Sequence, residues 1–172
     1  MRDITITLYI EGQPVRARYY PVFVFEQGVN CELSPLFILA NGKFLLGKQL
    51  LDIEGLRDLL EREYVMTVLP EGQDVYVPEV TSFQATNVVN AVSEEEFLRE
   101  TADIIRELNG QPTTLDRCRD AWNAYLNDKS PENLETLKAA YESVPEHNRT
   151  WLGDFDTKDF PIRQAIYGEQ SD

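Results

Sequence analysis

Three carboxylates within six residues, Asp154, Asp156 and Asp159, form a close group of candidate metal ligands in this chain. Hard cations such as Mg²⁺ and Ca²⁺ take oxygen ligands of this kind, so the run Gly153-Asp154-Phe155-Asp156-Thr157-Lys158-Asp159 is tested first against known loops. An EF-hand loop starting at Asp154 requires Gly where Asp159 stands and Glu where Ala165 stands, and it places Lys158 at a ligand position. The Asp-x-Asp-x-Thr start of the phosphatases that form an aspartyl phosphate is broken by Lys158 as well. The competing reading is structural: Asp bonds its own backbone in turns, and Lys158 and Arg163 stand ready as counter-ions.

His147 is the only histidine, and it lies in Pro145-Glu146-His147-Asn148-Arg149. With no Ser or Cys nucleophile nearby it makes no triad, although a single imidazole can serve as a general base. Cys31 and Cys118 show neither metal-ligand nor redox spacing, and Cys118 falls on the apolar stripe of a predicted helix, where a thiol packs. Gly-x-Gly-x-x-Gly does not occur among the nine glycines, and the one Gly-x-x-x-x-Gly-Lys spacing, Gly42 to Lys48, is followed by Gln49 where a phosphate loop needs Ser or Thr, which argues against nucleotide binding by those routes.

A second acidic constellation has geometric content. Glu96, Glu100, Asp103 and Glu107 lie at i, i+4, i+7 and i+11, so a helix sets them in one stripe at intervals of roughly 6 Å. That interval is comparable with the spacing of backbone phosphates, so the stripe is a candidate nucleic-acid mimic for a basic groove. The alternative is the wet face of an amphipathic helix. Arg16, Arg18, Lys43 and Lys48 offer a small basic patch if the first two hairpins pair.

Charge sets the class of partner. Residues 1–70 carry 7 Lys and Arg against 9 Asp and Glu, whereas residues 71–172 carry 9 against 21, so the second part holds −12 of the total −14. A field of that sign repels nucleic acid and anionic membrane and attracts basic protein surfaces.

The elements that must position these residues change character along the chain. Ile4, Ile6, Leu8 and Ile10 alternate with Thr5, Thr7 and Tyr9, the period of a half-buried strand, and Glu11-Gly12-Gln13-Pro14 turns the chain into a second strand over about 15–25. Leu36 to Leu39, Asn41-Gly42 and Phe44 to Leu46 predict a hairpin with a type I′ turn. A short helix is predicted over 52–64, then strands near 65–69 and 75–80, the latter placed at a sheet edge by Pro78. Residues 81–92 receive no assignment. From Ser93 onward the period is helical. A capping box Ser93/Glu96 opens a helix to Leu108, a second helix spans 114–127 with the stripe Leu115, Cys118, Trp122, Tyr125 and Leu126, and Ser130-Pro131 opens a third. The closing segment 160–167 is apolar enough to be tied down, as a last strand.

The expected fold is therefore α+β: an antiparallel sheet from the N-terminal half, residues 1–92, with a small acidic subdomain of about three helices, residues 93–172, packed on it. Trp122, Tyr125 and Tyr141 are expected where the helical hairpin meets its neighbours. No secretion signal or membrane span is read, so the protein is expected to be soluble and cytoplasmic, with no use for the sequon at Asn148. The expected function is a non-enzymatic acidic adaptor or inhibitor acting on a basic protein surface, with no direct nucleic-acid binding and no cofactor. Two alternatives stand beside it: a metal-dependent enzyme or ligand-binding domain using Mg²⁺ or Ca²⁺ at Asp154, Asp156 and Asp159, and a structural subunit whose acidic face is merely solvated.

Overall fold

A computed structural model describes residues 4–26, 30–88, 92–153 and 157–168. The fold is α+β, with a largely antiparallel sheet from the N-terminal half and helices from the C-terminal half. The chain divides into two compact units, residues 1–110 and 111–172. The boundary lies after residue 110, where a break near 92 was expected, because the first long helix packs on the sheet.

In the first unit the spine is a ribbon of two long strands, β2 (Gln13–Glu26) and β3 (Asn30–Leu39). Strand β1 (Thr5–Ile10) pairs with the first part of β2, and β4 (Phe44–Leu46) followed by β5 (Gln49–Leu51) extends the sheet from β3. Further along the ribbon, β6 (Val65–Met66) pairs with β2. Strand β7 (Asp74–Val77) pairs with β3 in a parallel ladder, and β8 (Thr81–Gln84) forms a hairpin with β7. Pro78 ends β7 as its missing donor requires, and β8 fills a segment to which composition assigned nothing.

Hydrogen-bond direction explains two prolines inside the ribbon. The Ala40 N–H donates to the Arg16 carbonyl at 2.8 Å and the Phe25 N–H to the Tyr64 carbonyl at 2.9 Å, so even-numbered residues of β2 bond β3 and odd-numbered ones face outward. Pro21 and Pro35 lie opposite one another, and each turns its absent donor outward. Pro21 falls between the β1-paired and β6-paired stretches, and Pro35 between those paired with β7 and β4. Among the described residues neither position has a lateral strand to receive a donor, so that ladder loses nothing.

The type I′ turn lies at the first hairpin and not at Asn41-Gly42, where it was expected. Glu11 (φ 51°) and Gly12 (φ 80°) both have positive φ, the type I′ geometry that closes β1 onto β2. At Asn41-Gly42 only Gly42 (φ 81°) does. The Gly42 N–H bonds the Leu39 carbonyl at 3.0 Å and the Leu39 N–H bonds the Lys43 carbonyl at 2.9 Å, a three-residue loop with a bulge at the glycine.

Helix α1 (Ile53–Glu61) and helix α2 (Glu94–Leu108) cover one face of the sheet. Val22, Val24, Leu36, Ile38 and Phe44 from the strands meet Leu56 and Leu60 of α1 and Phe97, Ile104 and Leu108 of α2 in one core. On the opposite face Cys31, Leu69, Val75 and Ala85 form a smaller cluster with Phe23, Phe25 and Leu33.

The second unit is helical. Helices α3 (Thr114–Asn127) and α4 (Pro131–Ser143) pack together, a 3₁₀ turn covers Glu146–Trp151, and α5 (Phe160–Tyr167) follows. The closing segment is thus a helix where a strand was expected. Pro161 stands in its first turn, Ile162 and Ile166 share a stripe at i, i+4, and Gly168 (φ 68°) caps it in the left-handed region. Cys118, Leu137, Tyr141, Val144, Leu152 and Ile162 make the core, with Trp122 and Tyr125 partly buried against it and Leu126, 50% exposed, outside it. The Ser130 hydroxyl accepts the Asn133 N–H at 3.3 Å, so Ser130→Ala is expected to cost about 0.5–2 kcal/mol in a denaturant melt. No measurable loss would show that the first turn is held by packing instead.

Candidate functional site

The acidic stripe is positioned by α2, whose two ends are fixed locally. The Ser93 hydroxyl accepts the Glu96 N–H at 3.3 Å and the Glu96 carboxylate accepts the Ser93 N–H at 3.4 Å, so Glu96 is spent on its own capping box. At the other end the Asn109 side-chain amide donates to the carbonyls of Ile105 at 2.8 Å and Ala40 at 2.7 Å, tying the helix terminus to the end of β3. Between these points Phe97, Thr101, Ile104 and Leu108 are buried.

Beside that apolar face, the stripe meets the polar row of β2. Arg18 donates two hydrogen bonds to the Glu107 carboxylate, at 2.9 and 2.6 Å. The Tyr20 hydroxyl donates to Glu100 at 2.9 Å, and Arg16 donates to the carbonyl of Leu108, at the negative end of the helix dipole. Four residues of strand at ~3.3 Å each and eight of helix at ~1.5 Å each span about the same distance, which lets the antiparallel helix match the row contact for contact. Asp103 pairs within the helix with Arg106 at 2.7 Å. All four carboxylates of the stripe therefore have partners in their own unit.

The electrostatics of this seam are those of partial burial. Arg18 is 8% exposed, whereas the Glu107 side chain is 52% exposed, so the pair has one dry end and one wet end. Burial, then the adjacent Glu100 charge and hydrogen bond, pushes the Tyr20 phenol well above its ordinary range and keeps it a donor. The basic patch expected from Arg16, Arg18, Lys43 and Lys48 does not assemble, because both arginines are drawn to α2 while the lysines remain exposed. The sequence offered the acidic and basic members separately. Their mutual neutralisation needs contacts across 80 to 92 residues.

Of the three aspartates proposed for metal, Asp154 and Asp156 lie outside the described residues. Asp159 accepts the Tyr141 hydroxyl at 2.6 Å and stands 3.6 Å from the Arg163 guanidinium, the counter-ion foreseen for it. Burial and this carboxylate raise the Tyr141 phenol, and the Arg149 guanidinium lies 4.8 Å from the centre of the Tyr141 ring. The loop ends approach closely: a Cβ on Gly153 would lie 1.5 Å from the Lys158 carbonyl oxygen, so only glycine fits there. Among the described residues no three His, Cys, Asp or Glu side chains gather as metal ligands.

His147 is exposed on the 3₁₀ turn. Both cysteines are free and buried, and burial pushes each thiol up to about 11, far from the range of a reactive thiolate. An open cleft of ≈ 530 Å³, lined by Phe25 of β2 and by Leu59, Arg62, Glu63, Tyr64, Met66 and Pro70, drew no attention in the sequence because Phe25 joins the stretch 59–70 only in the fold. Among the described residues no helix is long and apolar enough to cross a membrane.

Residues 6–112, the sheet with both of its helices, match the model of a family described as Domain of unknown function (DUF7638). The chain belongs to that family. Residues 113–172 match a second, Domain of unknown function (DUF7639), so the two matches meet within three residues of the boundary between the compact units. No curated protein and no solved structure matches the chain.

Proposed function

We propose that this member of the DUF7638 family is a non-enzymatic binding protein that engages a basic protein surface through carboxylates outside the α2 seam. The observation that carries the reading is a set of exposed carboxylates without ion pairs. Glu54, Glu61 and Glu94 in the first unit and Asp120, Glu132 and Glu135 in the second are exposed, and none is ion-paired among the described residues. With a net charge of −14, such groups draw in a cationic partner and speed its encounter. Mimicry of nucleic acid by Glu96, Glu100, Asp103 and Glu107 is the weaker form of the idea. A basic groove would have to compete with Arg18 for Glu107, with Tyr20 for Glu100 and with Arg106 for Asp103.

Capture from native lysate at two ionic strengths tests this reading. The Debye length falls from ~30 Å at 0.01 M to ~8 Å at 0.15 M, so a partner held by charge is retained at the lower salt and released at the higher. Replacing Glu54, Glu61, Glu94, Asp120, Glu132 and Glu135 by their amides is expected to abolish retention and leave the circular dichroism spectrum unchanged. A partner whose retention ignores both salt and the six substitutions would sink the proposal.

A further inference from the structure

Among the described residues strand β1 ends the sheet, with an edge of unusual chemistry. Its six residues, Thr5-Ile6-Thr7-Leu8-Tyr9-Ile10, include no charge and no proline, and no bulge interrupts its register with β2. Edge strands normally carry one of these devices, because an unpaired row of N–H and C=O groups is a template for another strand. Ile4 and Tyr9 are 71% and 75% exposed beside it.

The hydrogen-bond direction of β2 shows which groups are open. Ile6, Leu8 and Ile10 lie opposite Ala17, Val15 and Gln13, the odd-numbered residues that face outward, and so spend their backbone groups on β2. Thr5, Thr7 and Tyr9 lie opposite Arg18, Arg16 and Pro14 and turn three N–H and three C=O groups to the open side.

We propose that β1 pairs antiparallel with β1 of a second copy of this chain, about a two-fold axis at Thr7, joining two sheets into one. The strand is its own complement in that register. Thr7 faces Thr7, Thr5 faces Tyr9, Ile6 faces Leu8 and Ile4 faces Ile10, which are the threonine, aromatic with β-branched, and aliphatic pairs that stabilise neighbouring strands. The open groups of Thr5, Thr7 and Tyr9 close the ladder from both sides, and exposed Ile4 gains an apolar neighbour. A two-fold pairing also consumes the edge on both chains, so the assembly stops at two.

Sedimentation equilibrium up to about 1 mM, the weak end of the affinity scale, tests the proposal. Wild type is expected to approach twice the 19.8 kDa monomer mass. Thr7→Pro removes a donor from the open side and none from β2, so it should return the monomer mass with unchanged circular dichroism. Thr7→Lys and Thr7→Glu each set like charges face to face across the axis, and each is expected to be monomeric alone. Mixed in equal amounts they should recover the dimer mass, a result that only the Thr7 register produces and that does not depend on the proline variant folding. A monomeric wild type over the whole series overturns the proposal, as does a dimer that survives the lysine variant or a mixture that fails to reassemble.

Discussion

Glu107→Ala is expected to destabilise the first unit by about 2–3 kcal/mol, and Arg18→Met by less than about 1 kcal/mol, although the two side chains form one ion pair. The asymmetry follows from where each partner sits. Removing the half-exposed carboxylate takes two charge-assisted hydrogen bonds from a guanidinium that is 8% exposed, a loss discounted from the ~3–5 kcal/mol of a fully buried pair because water reaches the Glu107 side. Removing the arginine instead lets Glu107 turn to solvent, while the methionine keeps the packing of the stem. Urea melts followed by far-ultraviolet circular dichroism would measure the order. Both tryptophans, Trp122 and Trp151, belong to the second unit, so their fluorescence serves as an internal reference. A larger loss for Arg18→Met would mean that the seam is held by contacts of the arginine stem, not by its charge.

Leu137→Ala is expected to cost about 2–5 kcal/mol, the range for opening a cavity at a closed site, since Leu137 is 0% exposed at the centre of the second core. Trp122→Ala should cost less than the ~3–5 kcal/mol of a fully enclosed ring, because Trp122 is only partly buried and stacks on Tyr125 at a centroid distance of 5.9 Å. Denaturant melts of the two variants by circular dichroism give the comparison directly. If the tryptophan variant proves the more damaging, the stack with Tyr125 anchors the α3–α4 hairpin and the leucine site collapses around its vacancy.

The helices were legible where their ends are written locally. Ser93, Ser130 and Pro131 announce α2 and α4 within one turn, and the structure places the two serines as caps and the proline at the first helical position. The last helix was hidden because eight residues give its stripe only two repeats, and Pro161 reads as a breaker unless it is known to lie in the first turn. Turn type at Asn41-Gly42 was hidden for another reason: both loop lengths accept that dipeptide, and the register of β3 with β4 decides between them. The stripe on α2 was visible, and so was the row on β2. That they meet is a fact of tertiary structure, since Glu107 and Arg18 are 89 residues apart and no local spacing records their approach. The cleft beside Tyr64 escaped for the same reason.

The facing prolines of the ribbon carry a meaning for its flanks. On the β2 side, the interval between β1 and β6 is a place where a foreign strand could insert and extend the sheet inward. Such an intruder would find the Pro21 carbonyl without the neighbouring N–H that every ladder rung alternates with it, and Pro35 denies the matching rung across the ribbon. A pyrrolidine ring also fills the space where the missing hydrogen would point. The two residues thus act as blank teeth in a zip: the ribbon closes on itself, and the intervals that no described strand fills offer an outside chain a broken rung without a single charged side chain.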